Sequence, residues 1–150
     1  MAAAASLTIP VSLVTPLQTY NTKQVLNRIP GASHIAVDAA AGKVTFQFEF
    51  PGNIDRVMDK LRARHVTTAP TLAISVPVEN LTGKIVDRED LLHVLNSSPT
   101  VQGARFDGTS ITATISAQTN AMRYMYEEII NAGLMPLDVR TRARPQDFVL

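Results

Sequence analysis

The chain has 150 residues, of which 45% are apolar and 18% charged, and its formal net charge is +1. That balance fits one ordinary globular domain or two small ones, and it provides no global field to draw in nucleic acid or an acidic partner. There is no cysteine, which excludes disulfides, thiolate metal sites, iron–sulfur clusters and a cysteine nucleophile.

From the N-terminus, MAAAASLTIPVSLVTP lacks the basic segment of a signal peptide and is interrupted by Pro10. No apolar run is long enough to span a bilayer, and a cytoplasmic location is expected. Leu7–Leu13 alternates apolar and polar residues, which predicts a half-buried strand. Pro16 suits the first turn of a helix running to about Ile29, with Thr22, Val25, Leu26 and Ile29 on one face, and Pro30-Gly31 stops it. His34–Asp38 and Val44–Phe50 read as a hairpin, with Gly42 supplying the turn and Val44, Phe46, Phe48 and Phe50 on one face. Asn53 is placed to cap a second helix whose buried stripe is Ile54, Val57, Met58 and Leu61. Val66–Ala69 closes this run as a short strand.

The same grammar then returns. Val25–Phe50 (VLNRIPGASHIAVDAAAGKVTFQFEF) and Val94–Ile115 (VLNSSPTVQGARFDGTSITATI) both open Val-Leu-Asn, both carry Pro four residues after that Leu, and both close the next strand on Asp. Thr71–Val76 repeats the first strand. A longer loop, Glu79–Val86, leads to a helix capped by Asp87, with Glu89 and Asp90 favourable in its first turn. Leu91, Leu92, Val94 and Leu95 bury that helix. A second hairpin pairs Arg105–Asp107 with Ile111–Ile115 around Gly108. A helix at about Thr119–Ala132 ends on Gly133, and Leu137–Val139 is the closing strand. The fold class that follows is α+β: two tandem ferredoxin-like βαββαβ domains, residues 1–69 and 70–139, each an antiparallel sheet with helices on one face, followed by an Arg-rich tail, 140–150. The connection reduces to Pro70, too short for beads on a string. Thr8, Ser12, Thr45, Gln47 and Glu49 put a polar face opposite the core, to meet water or a polar partner.

Val25-Leu26-x-x-Ile29-Pro30-Gly31, a strand ending in Asp38, then Lys43-Val44-Thr45-Phe46 and a helix ending near Arg64-His65-Val66 resemble the heavy-metal-associated domain of copper chaperones and metal-transporting ATPases. Asn131-Ala132-Gly133-Leu134 is similar to the end of that family's second helix. The resemblance implies a Met-Thr-Cys-x-x-Cys loop before the first helix. Here the two cysteine positions fall on Thr15 and Gln18, with Leu13 at the Met position, and in the second copy near Lys84 and Asp87. None supplies a thiolate, so the resemblance implies the scaffold without its metal site.

The remaining candidates read as structure. His34, His65 and His93 show no i, i+4 or His-x-His spacing. His34 is expected on the outer sheet face and His65 at a helix C-terminus, where its charge is favourable. Met122-x-x-Met125 continues a core stripe with Ile129. Glu127-Glu128 and Glu89-Asp90 are adjacent on helices and so point apart. No nucleophile elbow appears, and Gly83-Lys84 lacks the rest of a phosphate loop. The reading is a non-catalytic protein-interaction module or accessory subunit, not an enzyme and without cofactor, that takes a protein partner or self-associates and does not engage metal, nucleic acid or membrane. Its expected contact surfaces are the polar sheet faces, the Glu79–Val86 loop and the tail residues Arg140, Arg142, Arg144, Phe148 and Leu150. Two alternatives stand beside it: a metal-handling protein with non-cysteine ligands, and a small-ligand-binding regulatory domain.

Overall fold

The computed structural model describes residues 4–13, 15–49, 52–80 and 83–142. The first unit runs β1 (Ala5–Ser12), α1 (Pro16–Asn27), β2 (Ala32–Asp38), β3 (Lys43–Phe48), α2 (Ile54–Ala63) and β4 (Thr67–Thr68). The second runs β5 (Thr71–Glu79), α3 (Arg88–Asn96), β6 (Val101–Asp107), β7 (Ser110–Ser116), α4 (Thr119–Asn131) and β8 (Met135–Pro136), and α5 (Leu137–Arg142) follows. The fold is α+β, two βαββαβ units, as the periodicity predicts.

The local causes are visible at each element. Pro16 opens α1, and Thr15 and Gln18 form a reciprocal capping box around its first turn. The Asn53 and Asp87 side chains accept the amides of Arg56 and Asp90, at 2.9 and 3.0 Å, capping α2 and α3. Gly42 (φ +67°) closes the first hairpin, as its position predicts. On β3, Val44, Phe46 and Phe48 point inward, and the Phe46 and Phe48 rings meet edge-on, 5.7 Å between centroids. Met58 and Leu61 of α2 and Leu26 of α1 pack over that face. Met122, Met125 and Tyr126 of α4 do the same in the second unit, joined to the first by one continuous core.

The two units share a single sheet. Its strand order is β2-β3-β1-β5-β7-β6, with β4 added beside β1 and β8 beside β5. β1 and β5 pair antiparallel through Ser6↔Ser75, Leu7↔Ile74 and Thr8↔Ala73. The other end of β1 turns to β4, through Val11 and Ser12, and the other end of β5 turns to β8, through Val78 and Glu79. Pro10 and Pro77 each lie three residues beyond the central Leu7↔Ile74 pair, one on each strand. Without an N–H they interrupt the ladder where each strand changes neighbour, the position an inner strand tolerates in a proline.

Several expected boundaries are corrected. Leu137–Val139 is not a strand but the start of α5; β8 is only Met135–Pro136, and Asp138 turns inward to a hydrogen bond with Tyr126. β4 shrinks to two residues because β5 occupies most of the edge it would have used. β5 continues to Glu79, into the expected loop. β2 begins at Ala32 and contains a bulge between Ser33 and Ala36, matched in β6 between Gln102 and Arg105. Both bulges fall on the outermost strands, where a kinked ladder blunts further strand addition. Phe50, expected on the inner face of β3, lies outside the described residues.

Candidate functional site

Of the positions equivalent to the metal loop, three are occupied by helix capping. Thr15 accepts the Gln18 amide at 3.3 Å, Gln18 Oε1 accepts the Thr15 amide at 3.0 Å, and Gln18 Nε2 donates to the His65 carbonyl at 3.3 Å. Asp87 caps α3, and Lys84 is exposed in the preceding loop, its carbonyl accepting Asn80 Nδ2 at 2.7 Å. Leu13, Thr15, Pro16, Thr19 and Ala39 line an open depression of ≈ 400 Å³ beside the α1 N-terminus.

The histidines do not converge. Among the described residues no group of three or more His, Cys, Asp or Glu could hold a metal ion. His34 (φ +54°) sits in the β2 bulge, where β6 has Gly103 (φ +63°). His65 (φ +60°) follows the α2 C-cap, where α4 has Gly133 (φ +100°). Val66 N–H bonds the Leu61 carbonyl and His65 N–H the Arg62 carbonyl, the pattern that Leu134 and Gly133 repeat on α4. These two histidines hold left-handed backbone positions. Met122 and Met125 are 1% and 0% exposed, in the core. Arg140 and Arg142 fall within α5, with side chains outside the described residues; Arg144, Phe148 and Leu150 lie outside them altogether.

One buried polar pair joins α4 to α5. Tyr126 and Asp138 are both 0% exposed, and the phenol donates to Asp138 Oδ2 at 3.0 Å while Oδ1 accepts the Val139 amide at 3.1 Å. Burial first, then the Asp138 charge and hydrogen bond, push the Tyr126 phenol far above its ordinary range.

Two surfaces remain. All four long helices cover one face of the sheet; the other carries mostly short side chains, with Gln47, Gln102 and Arg105 among them. One row across six strands reads Ala36, Thr45, Thr8, Ala73, Thr114, Gln102, and the next reads Ser33, Gln47, Ser6, Ser75, Thr112, Arg105. Thr8 and Thr45 hydroxyls meet at 3.2 Å, and Arg105 Nε donates to Thr112 Oγ1 at 3.3 Å.

The second surface is a groove of ≈ 240 Å³ between α1 and α2, lined by Gln24, Val25, Arg28, Arg56, Lys60, Ala63 and Arg64. Arg56, Lys60 and Arg64 recur every four residues, a cationic stripe legible in the sequence; that Arg28 faces it is not. Charge is also unequal between the units. Residues 1–69 hold seven Lys or Arg against four Asp or Glu, and residues 70–139 four against eight. The net charge of +1 hides this polarity.

No protein-family model and no curated protein matches the chain. Among solved structures, the chain is similar to the water-soluble region of the P-type ATPase CopA from Bacillus subtilis, at 14% identity, covering 96% of this chain and 99% of that one with a TM-score of 0.44. It is also similar to the regulatory subunit of aspartate kinase from Thermus thermophilus, at 12% identity, covering 83% and 91%, TM-score 0.32. A C-terminal regulatory domain of aspartate kinase from Porphyromonas gingivalis stands at 13% identity, 86% and 91%, TM-score 0.33. At these scores the fold rests on element order and register. Among the described residues no helix is long and apolar enough to cross a membrane.

Proposed function

We propose that the chain is a non-catalytic interaction module or accessory subunit, built on a heavy-metal-associated-like scaffold in which three of the four metal-loop positions, Thr15, Gln18 and Asp87, serve helix capping instead. The supporting observation is the uncovered face of the joined sheet: six strands wide, with nine of the twelve positions in its two rows Ser, Thr or Ala, which offer hydroxyls and few long flexible side chains to immobilise. Ordering such a surface costs little side-chain entropy on association.

The partner we assign is a second copy of the chain. A two-fold arrangement that lays the positive unit of one copy across the negative unit of the other satisfies both charge imbalances at once, as a self-complementary interface requires. Light scattering after size exclusion tests this. A species of twice 16.3 kDa is expected, weakened by high salt and returned to monomer by Thr8→Arg with Thr114→Arg. A wild-type chain that stays monomeric up to hundreds of micromolar overturns the assignment.

A further inference from the structure

The cationic groove between α1 and α2 has a composition that helix energetics accounts for only in part. Arg28 and Arg64 stand at the C-caps of α1 and α2, and Lys60 in the last turn of α2, where positive charge complements the helix dipole. Arg56 stands in the first turn of α2, where it opposes the dipole, and Lys60 lies between Arg56 and Arg64 at four-residue spacing, so that like charges repel along one face. Among the described residues no carboxylate forms an ion pair with them. Asp59 pairs with Arg62 at 3.5 Å, and Asp55 accepts the Thr119 amide at 3.4 Å. Glu49 lines an adjoining depression that Arg56 also borders, but the two form no ion pair, and Glu49 does not line this groove. Among the described residues the side chains of Arg28, Arg56, Lys60 and Arg64 make no hydrogen bond or ion pair.

The second unit supplies an internal comparison. Counting from the helix C-caps, Arg56, Lys60, Arg64 and Arg28 correspond to Tyr124, Glu128, Ala132 and Ser97. There Tyr124 closes the gap, its hydroxyl donating to the Val94 carbonyl at 3.2 Å. The same scaffold is therefore stitched shut and uncharged by cations in one unit, and open with four convergent cations in the other.

We infer that the α1–α2 groove binds a small oxyanion bearing two or more negative charges, a phosphorylated or polycarboxylated ligand held by Arg28, Arg56, Lys60 and Arg64. Planar guanidinium forks match phosphate and carboxylate oxygens in pairs, and the groove volume suits a ligand of that size. A site on the helix face is separate from the uncovered sheet face, so this inference does not rest on self-association.

Titration of the full-length, 15N-labelled protein with inorganic pyrophosphate and, separately, citrate tests it. Saturable shifts confined to amides of Gln24–Arg28 and Arg56–Arg64 are expected, at sub-millimolar affinity that falls as salt is raised. Arg56→Gln with Lys60→Gln should weaken binding at least tenfold. Lys43→Gln, on the opposite face of the sheet, should leave it unchanged. Pyrophosphate alone identifies phosphoryl ligands, and citrate alone polycarboxylates; either supports the site. Shifts spread over all Lys and Arg segments, affinity unaltered in the double variant, or binding of poly-glutamate with neither small anion, overturns it.

Discussion

Tyr126 is the largest fully buried side chain and carries a polar tip, which donates a hydrogen bond to a carboxylate that is itself fully buried. Tyr126→Phe keeps the ring and removes a charge-assisted donor, which should cost about 1–3 kcal/mol of stability in urea denaturation at pH 7. The pH dependence has a defined sign. Burial raises the phenol's folded pKa, so the unfolded chain, titrating at about pH 10, loses its proton first. The Tyr126 contribution is therefore complete below that pH and declines above it. The wild-type urea midpoint should fall more steeply between roughly pH 10 and 11.5 than that of Tyr126→Phe; parallel profiles would show the phenol titrates freely. His65 is the opposite case, a polar residue with a backbone duty. At φ +60° after the α2 cap it occupies the position that Gly133 fills on α4. His65→Gly should stabilise by about 1 kcal/mol and raise the Tm by about 2–4 °C. Unchanged or lower Tm would mean the imidazole makes compensating contacts. The sequence shows a histidine near a helix end either way; only the sign of φ separates a charge complementing the dipole from a left-handed cap.

Helices α2 and α4 begin against each other, across the boundary of the two units. Gln118, at the α4 N-cap, makes no side-chain capping bond. Asp55 of α2 takes its place, accepting the Thr119 amide, while Thr119 Oγ1 accepts the Asp55 amide at 3.2 Å and donates to Asn53 Oδ1 at 3.1 Å. Asp55→Ala and Thr119→Ala should each cost about 0.5–2 kcal/mol, as cap losses do. The double variant should cost less than their sum by 0.5 kcal/mol or more, because the two act on one junction. Strict additivity would show that each helix is capped independently. Elements whose apolar stripe is regular were legible: the α2 stripe Ile54, Val57, Met58, Leu61 and the β3 face Val44, Phe46, Phe48 are where periodicity places them. Leu137–Val139 misleads because three residues carry no period, and its helical form depends on Asp138 reaching Tyr126. The cationic stripe of α2 was legible as spacing, but its meaning as a groove needs Arg28 from α1 and the contrast with Tyr124.

At the scale of the whole molecule, the repeat of Val25–Phe50 at Val94–Ile115 points to two units but is silent on how they join. Alternation along β1 says which side chains face the core, not which strand lies alongside; that depends on the Ser6–Thr8 pairing with Ala73–Ser75 and on prolines that limit it. The joint leaves neither unit with a complete sheet edge of its own. Residues 1–69 without β5 would expose the ladder of Ser6–Thr8 on the edge of β1 away from β3, where only the two residues of β4 would remain paired, and a free edge of that kind recruits other chains. The full chain should therefore unfold as one cooperative unit. Urea transitions followed by far-UV circular dichroism, which reports helices of both units, and by tyrosine fluorescence, to which the second unit contributes two of the three tyrosines, Tyr124 and Tyr126, should superimpose. The isolated 1–69 fragment should aggregate or remain unfolded under conditions where the full chain is native. Separated midpoints in the full chain, together with a monomeric, cooperatively folding fragment, would show that the β1–β5 ladder contributes little and that each unit is an independent domain.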